Sequence, residues 1–157
     1  MPNPIPTELT YEYLGSLDIE AGESLVLGDL QAGWRRYDVL VGGTFRGPKI
    51  SGQIQAGGSD LLHRHGDMTT HPHVRLVVKT DDDALILVTY EGIRFANAEV
   101  NERLLSGEHV PFTEYYLRVA PFFQTSSERY DWLNRIVTVG VGRREGSHVI
   151  YEIFHIL

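Results

Sequence analysis

The chain has 157 residues, a formal net charge of −7 and no cysteine. That length suits one domain, residues 1–157, able to bury a core without covalent staples. The absence of cysteine removes disulfides, thiolate catalysis, Zn–thiolate sites and iron–sulfur clusters from consideration. An acidic chain with no Lys/Arg run argues against nucleic acid or a membrane surface as partner, and points to a small molecule. The start, Met-Pro-Asn-Pro-Ile-Pro-Thr-Glu, lacks a basic region followed by an apolar one, and no run of about 18 apolar residues occurs. A soluble, cytoplasmic protein is expected.

Alternation of period two in short segments bounded by Gly, Pro, Asn or Asp predicts strands. In chain order these are Thr10–Asp18, Arg35–Val41, Ile50–Ala56, His73–Lys79, Ala84–Tyr90, Tyr115–Ala120, Arg135–Gly142 and Val149–Ile156. Thr80-Asp-Asp-Asp83 and Arg144-Glu-Gly-Ser-His148 read as hairpin connections. Asn97 is placed to cap a short helix running to about Ser106, with Val100 and Leu104 on one side and Gly107 as its stop. Ser126 or Ser127 can start one further turn through Asp131. Eight or more antiparallel strands need two packed sheets or closure, and only closure removes the edges. Glycines at 42–43, 47, 52 and 57–58 sit where a strongly coiled sheet needs bulges or corners. The expected fold is therefore all-β, a single antiparallel barrel with one or two short helices and room for one small ligand.

Four of the seven histidines fall between Asp60 and Arg75: His63, His65, His71 and His73. Spacing by two puts His63 with His65, and His71 with His73 and Arg75, on common faces of an extended chain. Imidazole transfers protons near neutrality and guanidinium anchors an anion. The competing reading is a solvated loop, since Gly66, Asp67 and Pro72 interrupt pairing. Gly57 followed by His63-x-His65 reproduces half of the cupin metal motif. Thr69 and Thr70 stand where that motif needs a glutamate, and its later elements are missing, so no bound metal or other cofactor is expected.

Several blocks in order resemble the domain-of-unknown-function family 3237, the UPF0311-like small barrels. They are Gly42-Gly-Thr-Phe-Arg-Gly-Pro-Lys-Ile-Ser-Gly52, Gly57-Gly-Ser-Asp60, Arg75 with Lys79-Thr-Asp-Asp-Asp-Ala-Leu-Ile86, Tyr116-Leu-Arg-Val-Ala-Pro121, Phe123-Gln-Thr125 and Tyr130 through Arg143. The resemblance implies a calycin-like barrel that self-associates, here as a homo-oligomer such as a dimer, without a shared cofactor. It also implies lyase or decarboxylase steps on phenolic compounds. Carried over residue by residue, its polar positions are Asp60, Arg75, Arg118, Tyr130, Trp132 and Asn134. The chain departs from the pattern at Leu61, where Trp is usual, at His73, near a usual acid, and at Gln124, where Glu is usual. The segment from Arg64 to Arg75 is also one residue longer, so the histidines are this chain's own addition.

Together these readings name Asp60, His63, His73, Arg75 and Arg118 as candidate catalytic residues. Tyr90, Tyr116, Tyr130, Trp132 and Asn134 are the candidate substrate contacts. Asp60 also suits a turn cap, Arg75 and Arg118 an ion pair, and Trp132, sharing a strand face with Asn134, a core position. The function expected is a cofactor-independent lyase, decarboxylase or isomerase acting by acid–base catalysis on a small aromatic or carboxylate substrate. A non-catalytic carrier or sensor barrel is the alternative, and a cupin-like metal enzyme the third reading. Asp60, Arg75, Arg118 and Asn134 are expected to project into one interior cavity.

Overall fold

A computed structural model describes residues 4–157; the first three residues, part of the N-terminal stretch read above for a targeting signal, lie outside the described residues. Eleven strand segments form one sheet: β1 Tyr11–Leu30, β2 Gly33–Arg46, β3 Ser51–Ile54, β4 Gly58–Arg64, β5 Thr70–His71, β6 His73–Thr80, β7 Leu85–Phe95, β8 Tyr116–Val119, β9 Phe122–Gln124, β10 Thr138–Glu145 and β11 His148–Ile156. Every pairing is antiparallel, and the sheet closes on itself. β1 pairs with β2 and with β11, β2 runs through β3 and β4 to β6, and β7 continues through β8 and β10 back to β11. β3 and β4 lie end to end against β2, and β8 and β9 end to end against β7. The expected closed barrel is what the chain forms, and closure satisfies backbone groups that an open edge would leave unpaired.

Strand parity explains the core. In β6 the even residues Val74, Leu76 and Val78 are buried, and in β7 Ile86, Val88 and Tyr90 are, so even positions of both strands face inward. Leu17, Ile19, Phe45 and Ile153 meet them from β1, β2 and β11. Gly43, with φ +131°, lets β1 and β2 close in, because a Cβ there would run into the carbonyl of Asp18.

The connections 46–51 and 80–85 lie at one end of the barrel, which a 3₁₀ segment, Glu128–Arg135, plugs with Leu133 and Tyr130. Asn134 fixes the plug: its amide donates to the carbonyl of Thr125 at 2.9 Å and its Oδ1 accepts from the Thr125 N–H at 2.9 Å. The Tyr130 hydroxyl donates to Asp82 at 2.8 Å. Trp132 and Asn134 therefore do not share a strand face. Two residues apart on a helical turn are not the neighbours they are on a strand, and the strand read from Arg135 begins only at Thr138, after this 3₁₀ segment.

At the opposite end lie the β10–β11 hairpin, the long β1–β2 hairpin, the β4–β5 turn and helix α1, Ala98–Leu105. The side chain of Asn97 accepts from the Val100 N–H at 2.9 Å, and Gly107 follows with φ +81°, as the sequence predicts for a capped helix. Among the described residues no helix is long and apolar enough to cross a membrane.

Candidate active site

The apolar core stops short of the hairpin end, and there the barrel interior holds a cavity of about 140 Å³. Its polar wall consists of Arg36 and Asp38 from β2, Asp60 from β4, Arg94 from β7, Tyr115, and Arg144 from β10. Leu62, Leu117, Val149 and Tyr151 supply the rest of the lining. The long hairpin places Ala21, Gly22 and Ser24 at its rim.

Two of the charges neutralise one another. Arg36 grips Asp38 through two parallel hydrogen bonds of 2.9 and 2.8 Å, and the Ser24 hydroxyl adds a third to Asp38 at 2.6 Å. Asp60 differs, since its hydrogen bond is from the main-chain N–H of His73, at 2.9 Å. Burial lifts its carboxyl to about 6, the nearby Asp38 adds to the rise, and the His73 N–H and the Arg36 charge only partly oppose it. Beneath it the Tyr90 and Tyr151 rings meet edge to face, 5.2 Å apart. Burial raises both phenols well above their ordinary range, so they stay neutral and offer O–H groups.

Arg94 projects from an inward position of β7. Its guanidinium donates to the amide oxygen of Asn101 in α1 at 3.1 Å, and Asn101 is itself fixed by a 3.1 Å bond to the carbonyl of Ala96. At the rim, the Arg144 N–H donates to the Tyr115 hydroxyl at 2.8 Å, and its guanidinium reaches only the carbonyl of Gly146, at 3.2 Å. Among the described residues neither arginine has a carboxylate partner. Burial, and then the charge of Arg144, lower the proton affinity of Arg94.

Of the ten residues named from sequence, Asp60 lines this cavity and Tyr90 lies beneath it. The others stand elsewhere, so the expectation of one interior cavity shared by Asp60, Arg75, Arg118 and Asn134 is corrected. Arg75 and Arg118 sit at the parity opposite to their buried neighbours and point outward. Arg118 lies over the ring of the exposed Tyr116 at 4.8 Å. His63 faces outward opposite His71, its proton affinity lowered by partial burial and by Arg35 and the neighbouring imidazoles. His73 turns its ring out toward Glu91, 3.5 Å away, in an outer groove shared with Arg75 and Phe122. Tyr130, Trp132 and Asn134 belong to the plug at the far end. His65 and His71 stack with centroids 4.4 Å apart, and among the described residues no three His, Asp or Glu side chains converge as metal ligands do.

Sequence reasoning missed Arg36, Asp38, Arg94, Tyr115, Arg144 and Tyr151. Parity could have found Arg94, which is in phase with Ile86, Val88 and Tyr90. A roomier concavity of about 510 Å³ lies outside the barrel, between His109–Phe112 and β10–β11. Its two carboxylates are already taken up by Arg143, which bonds Glu145 at 2.9 Å and Glu152 at 3.2 Å, and Arg144 is the cation it shares with the interior cavity. The interior cavity, with charges left unmatched, is the better candidate.

The family model of a protein of unknown function, DUF3237, matches residues 9–156. The chain belongs to the DUF3237 family. The UPF0311 protein RPA1785 of Rhodopseudomonas palustris is 29% identical over 149 residues, covering 95% of this chain and 97% of that protein. Its crystal structure superposes with a TM-score of 0.90 at 28% identity, over 98% of this chain and all of that one. A beta-barrel-like protein from Acinetobacter baumannii is similar over the full length of both chains, with 33% identity and a TM-score of 0.85. The hydroalkoxylation enzyme phnH of Penicillium herquei is 29% identical over 135 residues, 86% of this chain and 75% of that protein. This DUF3237 barrel thus shares its family fold with proteins of unknown function and is similar in sequence to one enzyme.

Proposed function

We propose that this DUF3237 protein is a soluble, cytoplasmic enzyme that moves a proton between its own carboxyl and a small molecule held inside the barrel, without a resident cofactor. The observation that carries the reading is Asp60. It is a carboxyl in the wall of a small interior cavity, held by one main-chain N–H, with no cation bonded to it and neutral phenols below. A structural aspartate in a low-dielectric wall is normally matched, as Asp38 is by Arg36. A carboxyl that titrates close to neutral pH accepts and returns protons with little penalty in either direction.

Similarity to a hydroalkoxylation enzyme supports a particular reaction class. Hydroalkoxylation adds O–H across C=C: the oxygen loses its proton, a C–O bond forms at one carbon, and a proton is delivered to the other. Within one molecule the addition and its reverse are both isomerisations; where the oxygen group leaves as a separate molecule with formation of C=C, the reverse is a lyase step. Both need one group that takes a proton and one that gives it, and the Asp60 carboxyl serves in turn as each. The lyase and isomerase readings from sequence thus become the intermolecular and intramolecular forms of one chemistry, and decarboxylation carries less support. The carrier reading shares the cavity but gives no reason for a poorly matched carboxyl.

The test uses hydroxyaryl enones and hydroxy-enoic acids incubated in D₂O with wild-type protein and with Asp60→Asn, with chelator present. Intramolecular addition gives an isobaric product with one solvent deuterium on carbon. Wild-type product that is lost in Asp60→Asn supports the reading; product formed equally by both overturns it.

A further inference from the structure

Three arginines and two aspartates face the cavity, and Arg36 with Asp38 forms a closed pair. What remains is Arg94 and Arg144 against Asp60 alone, a net charge of +1 with Asp60 ionised and +2 with it protonated. The partly buried Arg94 guanidinium lies within the field of Arg144 at the rim, and like charge and desolvation both count against it. Neutral acceptors, Asn101 Oδ1 and the carbonyl of Gly146, hold the two guanidinium groups at one distance each. Each guanidinium has five N–H donors, so most of this donor capacity is left for something that enters the cavity.

The fold invests structure in this arrangement. Helix α1 carries Asn101, which is buried and bonded on both ends of its amide, to Arg94 and to Ala96. The strand residue opposite Arg94 is Thr70, also buried at the cavity wall, so the main chain that bears Arg94 is pinned on its β5 side as well. Tyr115 holds the Arg144 main chain through its hydroxyl. Arg94 and Arg144 therefore face the cavity from fixed backbone positions, one inside and one at the rim. The free volume, about 140 Å³, is close to the roughly 150 Å³ that takes up a single benzene ring.

Resting on the acid–base reading of Asp60, we propose that the substrate is a one-ring-sized oxyanion whose charged oxygens are held by Arg94 inside the cavity and Arg144 at its mouth, with Asn101 as the positioning residue for Arg94. The anion meets planar, fixed donors, which favours carboxylate, phenolate or enolate oxygens in the plane of the guanidinium. Its apolar body lies against Leu62, Leu117 and Val149. The negative charge enters beside Asp60 and makes the protonated carboxyl the favoured form, so binding the anion also readies the acid that delivers a proton to it.

Calorimetric titration of the full chain with benzoate, 4-nitrophenolate and the neutral isostere benzamide at pH 8 tests this without any turnover assay. The result expected is that at least one anion binds about tenfold or more tightly than benzamide, and that Arg94→Gln and Arg144→Gln each reduce the preference to about threefold or less. Benzoate favoured over nitrophenolate assigns the carboxylate class, and the reverse order the phenolate class. If Arg94→Gln fails to fold, Asn101→Ala and Arg144→Gln carry the comparison, and the wild-type ratio alone decides anion selectivity. Benzamide binding as well as the anions, a preference unchanged in all three variants, or no binding of any probe at about 10 mM overturns the proposal. Anion selectivity without D₂O incorporation by wild type would retain this inference and reject the acid–base reading; incorporation into neutral substrates without anion selectivity would do the opposite.

Discussion

Asp60 and His73 sit on adjacent strands, joined by a 2.9 Å hydrogen bond from the His73 main chain to the Asp60 carboxylate, while the two side chains point to opposite faces of the sheet. The carboxyl faces the cavity, and the imidazole faces the outer groove and Glu91. Two residues that the sequence offers as candidate proton carriers are therefore separated by the barrel wall, and the backbone N–H alone links them.

Asp60 carries a stability consequence. Its folded carboxyl titrates at about 6 against an ordinary 3.8, because burial disfavours the charge. Between those values the folded state binds a proton that the unfolded state has released, so stability falls as pH rises from about 4 to about 6 and stays lower above that. The penalty is of order 3 kcal/mol at most. Asp60→Asn keeps the acceptor for the His73 N–H and removes the ionisation. Thermal unfolding should show it more stable than wild type at pH 7 to 8 and equal to it near pH 4, and an equal melting temperature throughout would count against the burial argument.

Arg118 should tolerate truncation. Its guanidinium lies over the exposed Tyr116 ring and donates to the carbonyl of Leu117, and such an exposed contact is worth about 0.5–1 kcal/mol. Arg118→Ala should keep turnover and lose only a degree or two of melting temperature. Loss of turnover at native stability would return this residue to the site that the sequence pattern suggested.

Asn134→Ala should do the reverse. It removes both solvent-exposed hydrogen bonds that tie the 3₁₀ plug to Thr125, at about 0.5–1.5 kcal/mol for each. Unfolding monitored against denaturant should show the loss, with ligand affinity at the opposite end unchanged. A changed affinity at native stability would contradict the structural assignment.

Ile93, Phe95, Tyr116, Phe122 and Val139 form an exposed apolar stripe on the outer wall of β7 to β10. Glu91 and Arg118 flank it without pairing to each other. This face is where self-association is expected, and light scattering should show a dimer that Phe122→Glu converts to a monomer. An unchanged mass would move the interface elsewhere.

The sheet was legible because alternation is a strong signal: the strand His73–Lys79 and the capped helix after Asn97 lie within a residue of their predicted limits. The site was less so. Arg75 and Arg118 drew attention because each stands between apolar residues, yet that same alternation points them away from the core. Arg94 stands four residues after Tyr90, with Gly92 between, and is inward by parity, but β7 runs five residues beyond the strand read from its apolar stretch, so its face was never assigned. Trp132 and Asn134 share a short-range spacing that suits a strand and a 3₁₀ turn alike, and only the tie to Thr125 decides between them. Arg36, Asp38, Tyr115 and Arg144 come together through barrel closure, which local sequence does not encode.

The most direct measurement is the pH titration of the Asp60 carboxyl by carbon-detected NMR, with and without benzoate. The Asp60 carboxyl should titrate near pH 6, its signal should be absent from Asp60→Asn, and its titration should move to higher pH when the anion occupies the cavity. An Asp60 carboxyl that titrates near pH 4 and does not respond to the anion would contradict the acid–base reading.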